Sequence, residues 1–120
     1  MARVMIAEDS DATRILLKEI LKEGQHEIVD EAMDGVDAVK KFNLSKPDIL
    51  LLDYAMPKKD GLTVLKEIKM INPYAKVIMI TVNDDQELIE GCITAGALAY
   101  IIKPFKTPTV LKAISYALED

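Results

Sequence analysis

The sequence has little that would suit an extracellular, membrane or nucleic-acid-binding protein. It contains one cysteine, Cys92, which excludes an internal disulfide and fits a reducing compartment such as the cytoplasm. No apolar run is long enough for a signal-peptide core or a membrane span. The formal net charge of -5 leaves no general cationic surface for a phosphate backbone. These absences favour small ligands and proteins as partners and predict a cytoplasmic location.

The composition is that of one folded domain. Of the 120 residues, 50% are hydrophobic and 29% are charged, a balance that excludes a disordered or fibrous chain. A chain of this length buries most of the surface that its unfolded form exposes, and it leaves no room for a second domain. We therefore expect a single domain over residues 1–120.

Strand-like and helix-like segments alternate along the chain. Segments with apolar residues at helical spacing follow five short apolar runs of strand length: RVMIA from Arg3, HEIVDEA from His26, DILLLD from Asp48, KVIMIT from Lys76 and ALAYIIK from Ala97. The first, third and fourth runs are nearly continuously apolar, as in parallel strands covered on both faces, whereas HEIVDEA alternates like an edge strand. The pattern predicts five βα units in an open, doubly wound α/β sheet.

Capping residues predict where three of the helices begin or end. Gly24 follows the first helix, as a C-terminal cap would. Asp84 can cap the start of the fourth helix. Thr107 and Pro108 can supply the N-cap and the first-turn proline of the fifth helix.

The residues best suited to binding a ligand or taking part in a reaction lie at the ends of the predicted strands. Glu8 and Asp9 end the first strand, Asp53 the third, Thr81 the fourth and Lys103 the fifth. Ligands of such sheets bind beyond the carboxyl ends of the strands, so these groups are expected to share one edge. Oxygen ligands of this kind suit Mg²⁺, which commonly pairs with phosphate oxygens. The lysine and the threonine then look like phosphate ligands.

Each of these residues also has an ordinary structural explanation. Glu8 and Asp9 could be favourable acids at the start of the first helix, and Asp53 could open a turn. The hydroxyl of Thr81 could bond its own backbone, and Lys103 could be a solvated lysine before a turn. The apolar run before Asp53 makes an unneeded charge there costly, so the acids and the lysine together favour a metal site.

In this order, the motifs resemble the receiver domain of two-component response regulators, particularly the single-domain CheY-like group. The resemblance covers essentially the whole chain, residues 1–120. It rests on the acidic pair, on LLLDYAMPKKDG around Asp53, on the threonine after the fourth strand and on KPF at 103–105. It implies a flavodoxin-like (βα)5 fold with strand order 2-1-3-4-5. It also implies a signalling switch in which Asp53 accepts a phosphoryl group from a histidine kinase.

The resemblance further implies a set of Mg²⁺ ligands. Asp9 and Asp53 would bind the metal directly, and the backbone carbonyl of Ala55 would be the third protein ligand. Glu8, which replaces the aspartate more often seen in the family, would act mostly through a coordinated water. Both the metal and the lysine would offset the charge of the transferred phosphoryl group.

The same resemblance implies phosphoryl-binding and switch residues. Thr81, the backbone N–H of Val82 and the ammonium of Lys103 would bind phosphoryl oxygens, and a cis peptide before Pro104 would aim the ammonium inward. Thr81 and Tyr100 would form the switch that changes the surface of the fourth helix, fifth strand and fifth helix. Tyr100 also fits plain packing, with its ring in the core and its hydroxyl at the surface.

Some positions near the site depart from the commonest pattern of the family or belong to its variable set. Val82 stands where Ala, Gly or Ser is usual, so its branched side chain is expected to slow reaction with small donors, hydrolysis, or both. Ala55 and Asn83 hold variable positions that flank the path of hydrolytic water. Ala55 has no side chain to orient that water, and the lifetime of the phosphorylated state stays open.

The implied protein is a phosphoacceptor that catalyses its own phosphorylation and dephosphorylation and is otherwise not an enzyme. Its partners would be a sensor histidine kinase, CheA-like or other, and a downstream protein such as a flagellar motor or adaptor protein. A monomer is the expected state. The leading interpretation is a chemotaxis-type role, and a phosphorelay intermediate or a phosphate sink is the alternative.

Other classes of protein fit the residues less well. An aspartyl-nucleophile phosphatase of the haloacid dehalogenase type would need a second aspartate two positions after Asp53, where Ala55 stands. A flavodoxin-like electron carrier would need a hydroxyl- and glycine-rich loop after the first strand, where acids stand instead. A pseudo-receiver that binds partners without phosphate is disfavoured by the intact acids, Thr81 and Lys103.

Overall fold

Strands and helices alternate strictly in the computed structural model, which describes residues 1–119 and so omits the last residue of the predicted domain. The strands are β1 (Arg3–Ala7), β2 (Glu27–Ala32), β3 (Ile49–Leu52), β4 (Val77–Thr81) and β5 (Ala99–Ile102). The helices are α1 (Asp11–Glu23), α2 (Gly35–Ser45), α3 (Gly61–Ile71), α4 (Gln86–Thr94) and α5 (Thr107–Leu118). Every predicted strand run therefore forms a strand, and a helix follows each one.

The strands form one parallel sheet with the order β2-β1-β3-β4-β5. This order confirms the expected doubly wound fold. In the three central strands every residue except Arg3 is buried, as their continuous apolar runs predict. The edge strands β2 and β5 are only partly buried, which matches the alternating pattern of the second run.

Side chains of the central strands alternate between two apolar layers, because successive residues of a strand point to opposite faces. On one face, Met5, Leu50 and Met79 pack with buried residues of α2, α3 and α4. On the other face, Ile6 and Ile78 pack with buried residues of α1 and α5. The sheet is thus covered on both faces, so its central strands reach the surface only at their ends. No helix within residues 1–119 has the length and hydrophobicity needed to cross a bilayer.

The N-cap of α4 lies one residue after the predicted position. Asp85, not Asp84, accepts a hydrogen bond from the backbone N–H of Leu88 at 3.0 Å. The side-chain oxygen of Asn83 accepts from the N–H of Asp85 at 2.9 Å, which forms a short turn. This turn brings the second of the two adjacent aspartates to the start of the helix.

The start of α5 also differs from the prediction by one residue. Lys106 is the N-cap and makes no side-chain capping bond, and Thr107 is already helical. Pro108 lies in the first turn, where its missing N–H costs no hydrogen bond. Gly24 ends α1 as predicted.

Gly61 allows α3 to begin directly against the end of β3. A Cβ atom at this position would lie 2.3 Å from the carbonyl oxygen of Asp53 and 2.7 Å from the Cα of Tyr54. Both neighbours are backbone atoms, which cannot move without moving the strand end itself. Only a residue without a side chain can therefore stand at Gly61 while Asp53, the residue that follows β3, keeps its present position.

Replacement of Gly61 is expected to destabilise the fold and to displace Asp53. We expect Gly61→Ala to lower the free energy of unfolding, measured by urea denaturation, by about 1–3 kcal/mol because of the backbone clash. The matched control is Gly91→Ala in α4, whose new Cβ would meet only Leu62 at 3.8 Å. That substitution should stabilise the helix by about 0.5–1 kcal/mol. A Gly61→Ala protein as stable as wild type would contradict this account.

The side chain of His26 binds the backbone near the start of the chain, and protonation of the imidazole is expected to break this hydrogen bond. Its Nδ1 accepts a hydrogen bond from the backbone N–H of Ala2 at 3.0 Å, and burial lowers the pKa of the imidazole. The stabilisation is therefore present above pH of about 6.5, the ordinary histidine value, and is lost as the pH falls through the lowered pKa. Urea unfolding of wild type and His26→Ala between pH 7.5 and 5 should show a stability difference that shrinks at low pH. A difference that stays constant would be inconsistent with this role.

Candidate functional site

The acids at the ends of β1 and β3 meet at one edge of the sheet. One carboxylate oxygen from each of Glu8, Asp9 and Asp53 lies within 4.8 Å of the others. They meet because β1 and β3 are neighbours in register, with Ala7 beside Leu52. The backbone N–H of Asp53 continues the ladder by donating to the carbonyl of Ala7 at 3.0 Å. The structure thus brings together the three acids that the strand ends predicted.

Two of the three acids are buried. Glu8 is 1% exposed and Asp53 is 5% exposed, whereas Asp9 is open to solvent. The Oδ1 atom of Asp53 is buried without any hydrogen-bond partner. A buried carboxylate oxygen normally has a partner, because an unmade bond there costs about 1–3 kcal/mol. Asp53 Oδ1 is therefore poised for a ligand that binds oxygen.

One lysine serves both buried acids. Lys103 Nζ donates to Glu8 Oε1 at 2.8 Å and lies 3.7 Å from Asp53 Oδ2. The lysine is held in place because its backbone N–H donates to the carbonyl of Thr81 at 2.8 Å. The peptide bond between Lys103 and Pro104 is cis, as expected. A single ammonium thus pairs with both buried carboxylates.

Glu8 is held by more partners than the sequence suggested. Burial raises the pKa of Glu8, and the hydrogen bonds from Lys103 and from the backbone N–H of Ser10 act against this increase. Ser10 is also the N-cap of α1. A serine directly before an amphipathic helix is a typical N-cap, so the sequence could have indicated this role. Arg14 donates to the backbone carbonyl of Glu8 at 2.9 Å, a contact that no sequence motif indicates.

The two candidate switch residues, Thr81 and Tyr100, both form hydrogen bonds with the backbone of Asn83. The sequence did not indicate this role of Asn83. Thr81 is fully buried, and its hydroxyl accepts from the backbone N–H of Asn83 at 3.4 Å. The hydroxyl of Tyr100 donates to the backbone carbonyl of Asn83 at 2.6 Å. Burial, with smaller effects from nearby acids, raises the pKa of Tyr100 to about 12. The backbone of one residue, Asn83, therefore contacts both Thr81 and Tyr100.

Val82 and Ala55 border the site without covering it. Val82 is 68% exposed and lines an apolar cavity of about 370 Å³ together with Leu16, Lys103 and Phe105. Ala55 is exposed in the loop between β3 and α3. The cavity adjoins the acidic cluster through Lys103, whose ammonium lies 3.7 Å from Asp53 Oδ2.

The residues of the site fit a divalent cation with hard oxygen ligands. The site offers three carboxylates and a buried Asp53 oxygen that has no partner. Within the described part of the chain, the carboxylate of Asp9 forms neither a hydrogen bond nor an ion pair. Mg²⁺ takes one or two carboxylates and keeps several waters, which suits an acidic cluster at an open edge. Asp9 and Asp53 are the residues best placed to bind such an ion directly.

A parallel sheet of this order, with acids, a threonine and a lysine at its carboxyl edge, defines the receiver class of signalling domains. The chain belongs to the response regulator receiver domain family, whose model matches residues 4–115. Receiver domains generally bind Mg²⁺, in agreement with the acidic cluster of this chain.

Known proteins with similar sequence or structure support this assignment. The chain is 40% identical over 116 residues to the chemotaxis protein CheY of Bacillus subtilis, covering 97% of each chain. It is 41% identical to the transcriptional regulatory protein PdtaR of Mycobacterium tuberculosis, but covers only 56% of that protein. A chain in the crystal structure of a CheX–CheY–BeF3–Mg²⁺ complex from Borrelia burgdorferi matches with a TM-score of 0.95 and 34% identity, covering 98% of this chain and 90% of that one.

Asp9 and Glu8 are expected to contribute differently to Mg²⁺ binding. Asp9→Ala removes an acid with no other partner and should weaken Mg²⁺ binding by at least about tenfold. Glu8→Ala removes an acid already bonded to Lys103 and Ser10, so its effect should be smaller. Calorimetric titration of Mg²⁺ into each variant measures the difference. Equal losses would count against this division of roles.

Neutralising Asp53 is expected to stabilise the metal-free protein. Asp53→Asn removes one of two buried charges and should raise the free energy of unfolding in EDTA by about 1 kcal/mol. Mg²⁺ should then stabilise the variant less than wild type, because a direct ligand is lost. Glu90→Gln, at an exposed position of α4, is the matched control and should change neither quantity. Thermal and urea unfolding with and without Mg²⁺ provide the test, and a destabilised Asp53→Asn protein would overturn the expectation.

Proposed function

We propose that this chain is a phosphorylation-dependent signalling switch in which Asp53 accepts a phosphoryl group from the phosphohistidine of a sensor histidine kinase. The observation that carries the proposal is the partnerless, buried oxygen of Asp53 beside the ammonium of Lys103. An Asp53 oxygen attacks phosphorus, the bond between phosphorus and the donor's nitrogen breaks, and an acyl phosphate forms. The chain acts as phosphoacceptor and catalyst of its own reaction, not as an enzyme on a separate substrate.

The residues around Asp53 bind and orient the incoming group. Asp9, Asp53 and the backbone carbonyl of Ala55 would hold Mg²⁺, with Glu8 acting through a coordinated water. When bound, the ion supplies positive charge against the phosphoryl oxygens. Lys103 supplies the second positive charge, and its bond to Glu8 keeps the ammonium aimed into the site.

Thr81 and the backbone N–H of Val82 complete the phosphoryl-binding groups of the proposal. They follow β4, which lies beside β3, so they approach the same edge as Asp53. The Thr81 hydroxyl can donate to a phosphoryl oxygen while its present partner, the N–H of Asn83, is held only at 3.4 Å. Little hydrogen-bond energy is therefore lost when the hydroxyl turns toward the phosphoryl group.

The new charge at Asp53 is read out through the loop that follows β4. Movement of Thr81 changes the position of Asn83, whose carbonyl holds the hydroxyl of Tyr100. Tyr100 lies on β5, and this strand borders α4 and α5. The proposed output surface is therefore that of α4, β5 and α5, which a downstream protein binds in one state better than in the other.

We favour a chemotaxis-type role in the cytoplasm for this switch. The relatives named CheY match this chain over nearly their full lengths, which supports a role of the same kind. The partners would then be a CheA-like kinase and a flagellar motor or adaptor protein, with the chain acting as a monomer. A role as a phosphorelay intermediate or a phosphate sink uses the same Asp53 chemistry, and the output partner distinguishes it.

The central test is phosphorylation at Asp53. Incubation with Mg²⁺ and acetyl phosphate should add one phosphoryl group to wild type, seen by intact-protein mass, and none to Asp53→Asn. Beryllofluoride with Mg²⁺ should shift backbone amide signals of Thr81, Asn83 and Tyr100 in the NMR spectrum. A folded wild-type protein that responds to neither reagent would falsify the proposal.

The exposed side chain of Val82 is expected to slow exchange of the phosphoryl group. Val82→Ala opens the apolar wall beside Lys103 and should raise the rates of labelling by acetyl phosphate and of dephosphorylation severalfold. Ile93→Ala, at an exposed apolar position of α4, is the matched control and should leave both rates unchanged. Quenched time courses of the phosphorylated fraction measure the rates. Unchanged rates in Val82→Ala would remove crowding as the explanation.

A further inference from the structure

The chain leaves β1 through a backbone carbonyl that the neighbouring strand cannot bond. The last pair in the ladder between β1 and β2 is Ala7 with Ala32, and the N–H of Glu8 donates to the carbonyl of Ala32 at 2.9 Å. In a parallel ladder the N–H and the carbonyl of one residue point to the same side, so the carbonyl of Glu8 points past the end of β2. A buried carbonyl needs a donor, which a side chain must supply here.

Arg14 of α1 supplies this donor. Its Nη1 donates to the carbonyl oxygen of Glu8 at 2.9 Å, and the side chain is only 13% exposed. Its Nη2 pairs with the carboxylate of Asp11, and its Nε lies 3.5 Å from Oε1 of Glu31. A guanidinium is rigid and planar, so partners on three of its sides fix its position.

The acid that holds Nε is itself fixed to its surroundings. Lys18 donates to the two carboxylate oxygens of Glu31 at 3.2 and 2.9 Å. Lys41 donates to the backbone carbonyl of Glu31 at 2.7 Å. The guanidinium of Arg14 is therefore anchored to β2 as well as to its own helix.

The bond from Arg14 bears on Asp9, because Glu8 and Asp9 share one peptide. The carbonyl of Glu8 and the N–H of Asp9 lie in one rigid plane, so a fixed oxygen fixes the direction in which the chain enters Asp9. Within residues 1–119, the carboxylate of Asp9 has neither a hydrogen bond nor an ion pair of its own. Its direction therefore depends on the backbone that carries it.

The stability of α1 does not explain an arginine at this position. The helix already packs on the sheet through Leu17, Ile20 and Leu21. Arg14 lies near the N-terminal end of the helix, where the helix dipole disfavours a positive charge. The bond to the strand end is thus the feature that distinguishes this side chain.

We propose that Arg14 is a positioning residue for Mg²⁺: by holding the peptide between Glu8 and Asp9, it aims the carboxylate of Asp9 at the edge shared with Asp53. The inference rests on the proposed function, in which Asp9 binds the ion directly. Arg14 touches neither the ion nor the phosphoryl group and acts only through Asp9. Groups that orient a metal ligand contribute to metal affinity without contacting the metal.

The test is the Mg²⁺ affinity of Arg14→Ala, measured by calorimetric titration. It should fall about threefold to tenfold, near the lower end of the loss caused by removing a group that orients a metal ligand, and less than in Asp9→Ala. Arg3→Ala is the matched control, because the guanidinium of Arg3 also donates to two backbone carbonyls, at 2.7 and 2.8 Å, but at the opposite end of β1. Arg3→Ala should bind Mg²⁺ like wild type.

A double variant separates the orientation of Asp9 from a general loosening of the site. If Arg14 acts only through Asp9, Asp9→Ala with Arg14→Ala should bind Mg²⁺ no more weakly than Asp9→Ala alone, whereas independent effects would multiply. Guanidinium chloride at about 20 mM, far below denaturing concentrations, should restore part of the affinity of Arg14→Ala relative to the same concentration of sodium chloride.

Phosphorylation by acetyl phosphate separates metal affinity from chemistry. Arg14→Ala should need about threefold to tenfold more Mg²⁺ for half-maximal labelling of Asp53. Its labelling rate at saturating Mg²⁺ should stay within about twofold of wild type, because the reacting groups are unchanged. In the metal-free protein, the NMR signal of the Asp9 amide should shift, since its peptide loses a hydrogen bond.

Unfolding midpoints in EDTA show which variants are folded. Arg14→Met keeps the apolar stem of the side chain and takes the place of Arg14→Ala, with the same expectations, if the alanine variant does not fold. The proposal is overturned by wild-type Mg²⁺ affinity in the folded Arg14 variant, by multiplied losses in the double variant, or by an equal loss in Arg3→Ala. Failure of the proposed function looks different, because wild type itself would then neither bind Mg²⁺ nor become phosphorylated.

Discussion

Two buried carboxylates, those of Glu8 and Asp53, share one ammonium group at the carboxyl edge of the sheet. Burial disfavours both charges, and the neighbouring Asp9 adds a third negative charge that Lys103 cannot balance. The folded protein therefore carries a local deficit of positive charge and a carboxylate oxygen without a partner. A divalent cation would relieve both deficits, which makes this edge of the sheet the candidate metal site.

The fold supports this unfavourable cluster because the acids lie at strand ends and not within strands. The buried parts of β1 and β3 are apolar and packed on both faces. The favourable free energy of burying these residues offsets the unfavourable free energy of the buried charges next to them. The lack of a side chain at Gly61 allows α3 to begin directly against the backbone carbonyl of Asp53. Preorganisation of this kind costs stability in the free protein and favours whatever ligand restores the balance of charge.

Periodicity in the sequence was enough to predict a parallel sheet with the acids at one edge, because apolar runs determine strands and parallel strands align their ends. The strand order that places β1 beside β3 was implied by the resemblance to receiver domains, and the structure confirms it. The exact N-cap of α4 could not be predicted, because Asp84 and Asp85 are chemically alike and both can cap a helix. The turn made by Asn83 selects Asp85. The role of Asn83 between Thr81 and Tyr100 could not be predicted, since it uses a backbone N–H and carbonyl that every residue has. The contact of Arg14 with the carbonyl of Glu8 is of the same kind.

The backbone of Asn83 is the link through which, in the proposed switch, a new charge at Asp53 would alter a distant surface. Its N–H is bound weakly by the hydroxyl of Thr81, at 3.4 Å, and its carbonyl is bound strongly by the hydroxyl of Tyr100, at 2.6 Å. In the proposed switch, the threonine hydroxyl would turn to a phosphoryl oxygen, the weaker bond would break first, and the stronger one would keep Tyr100 attached to the loop. Any movement of the loop would then be passed to the aromatic ring on β5. The proposed coupling would need no long chain of contacts, because a single residue joins Thr81 at the end of β4 to Tyr100 on β5.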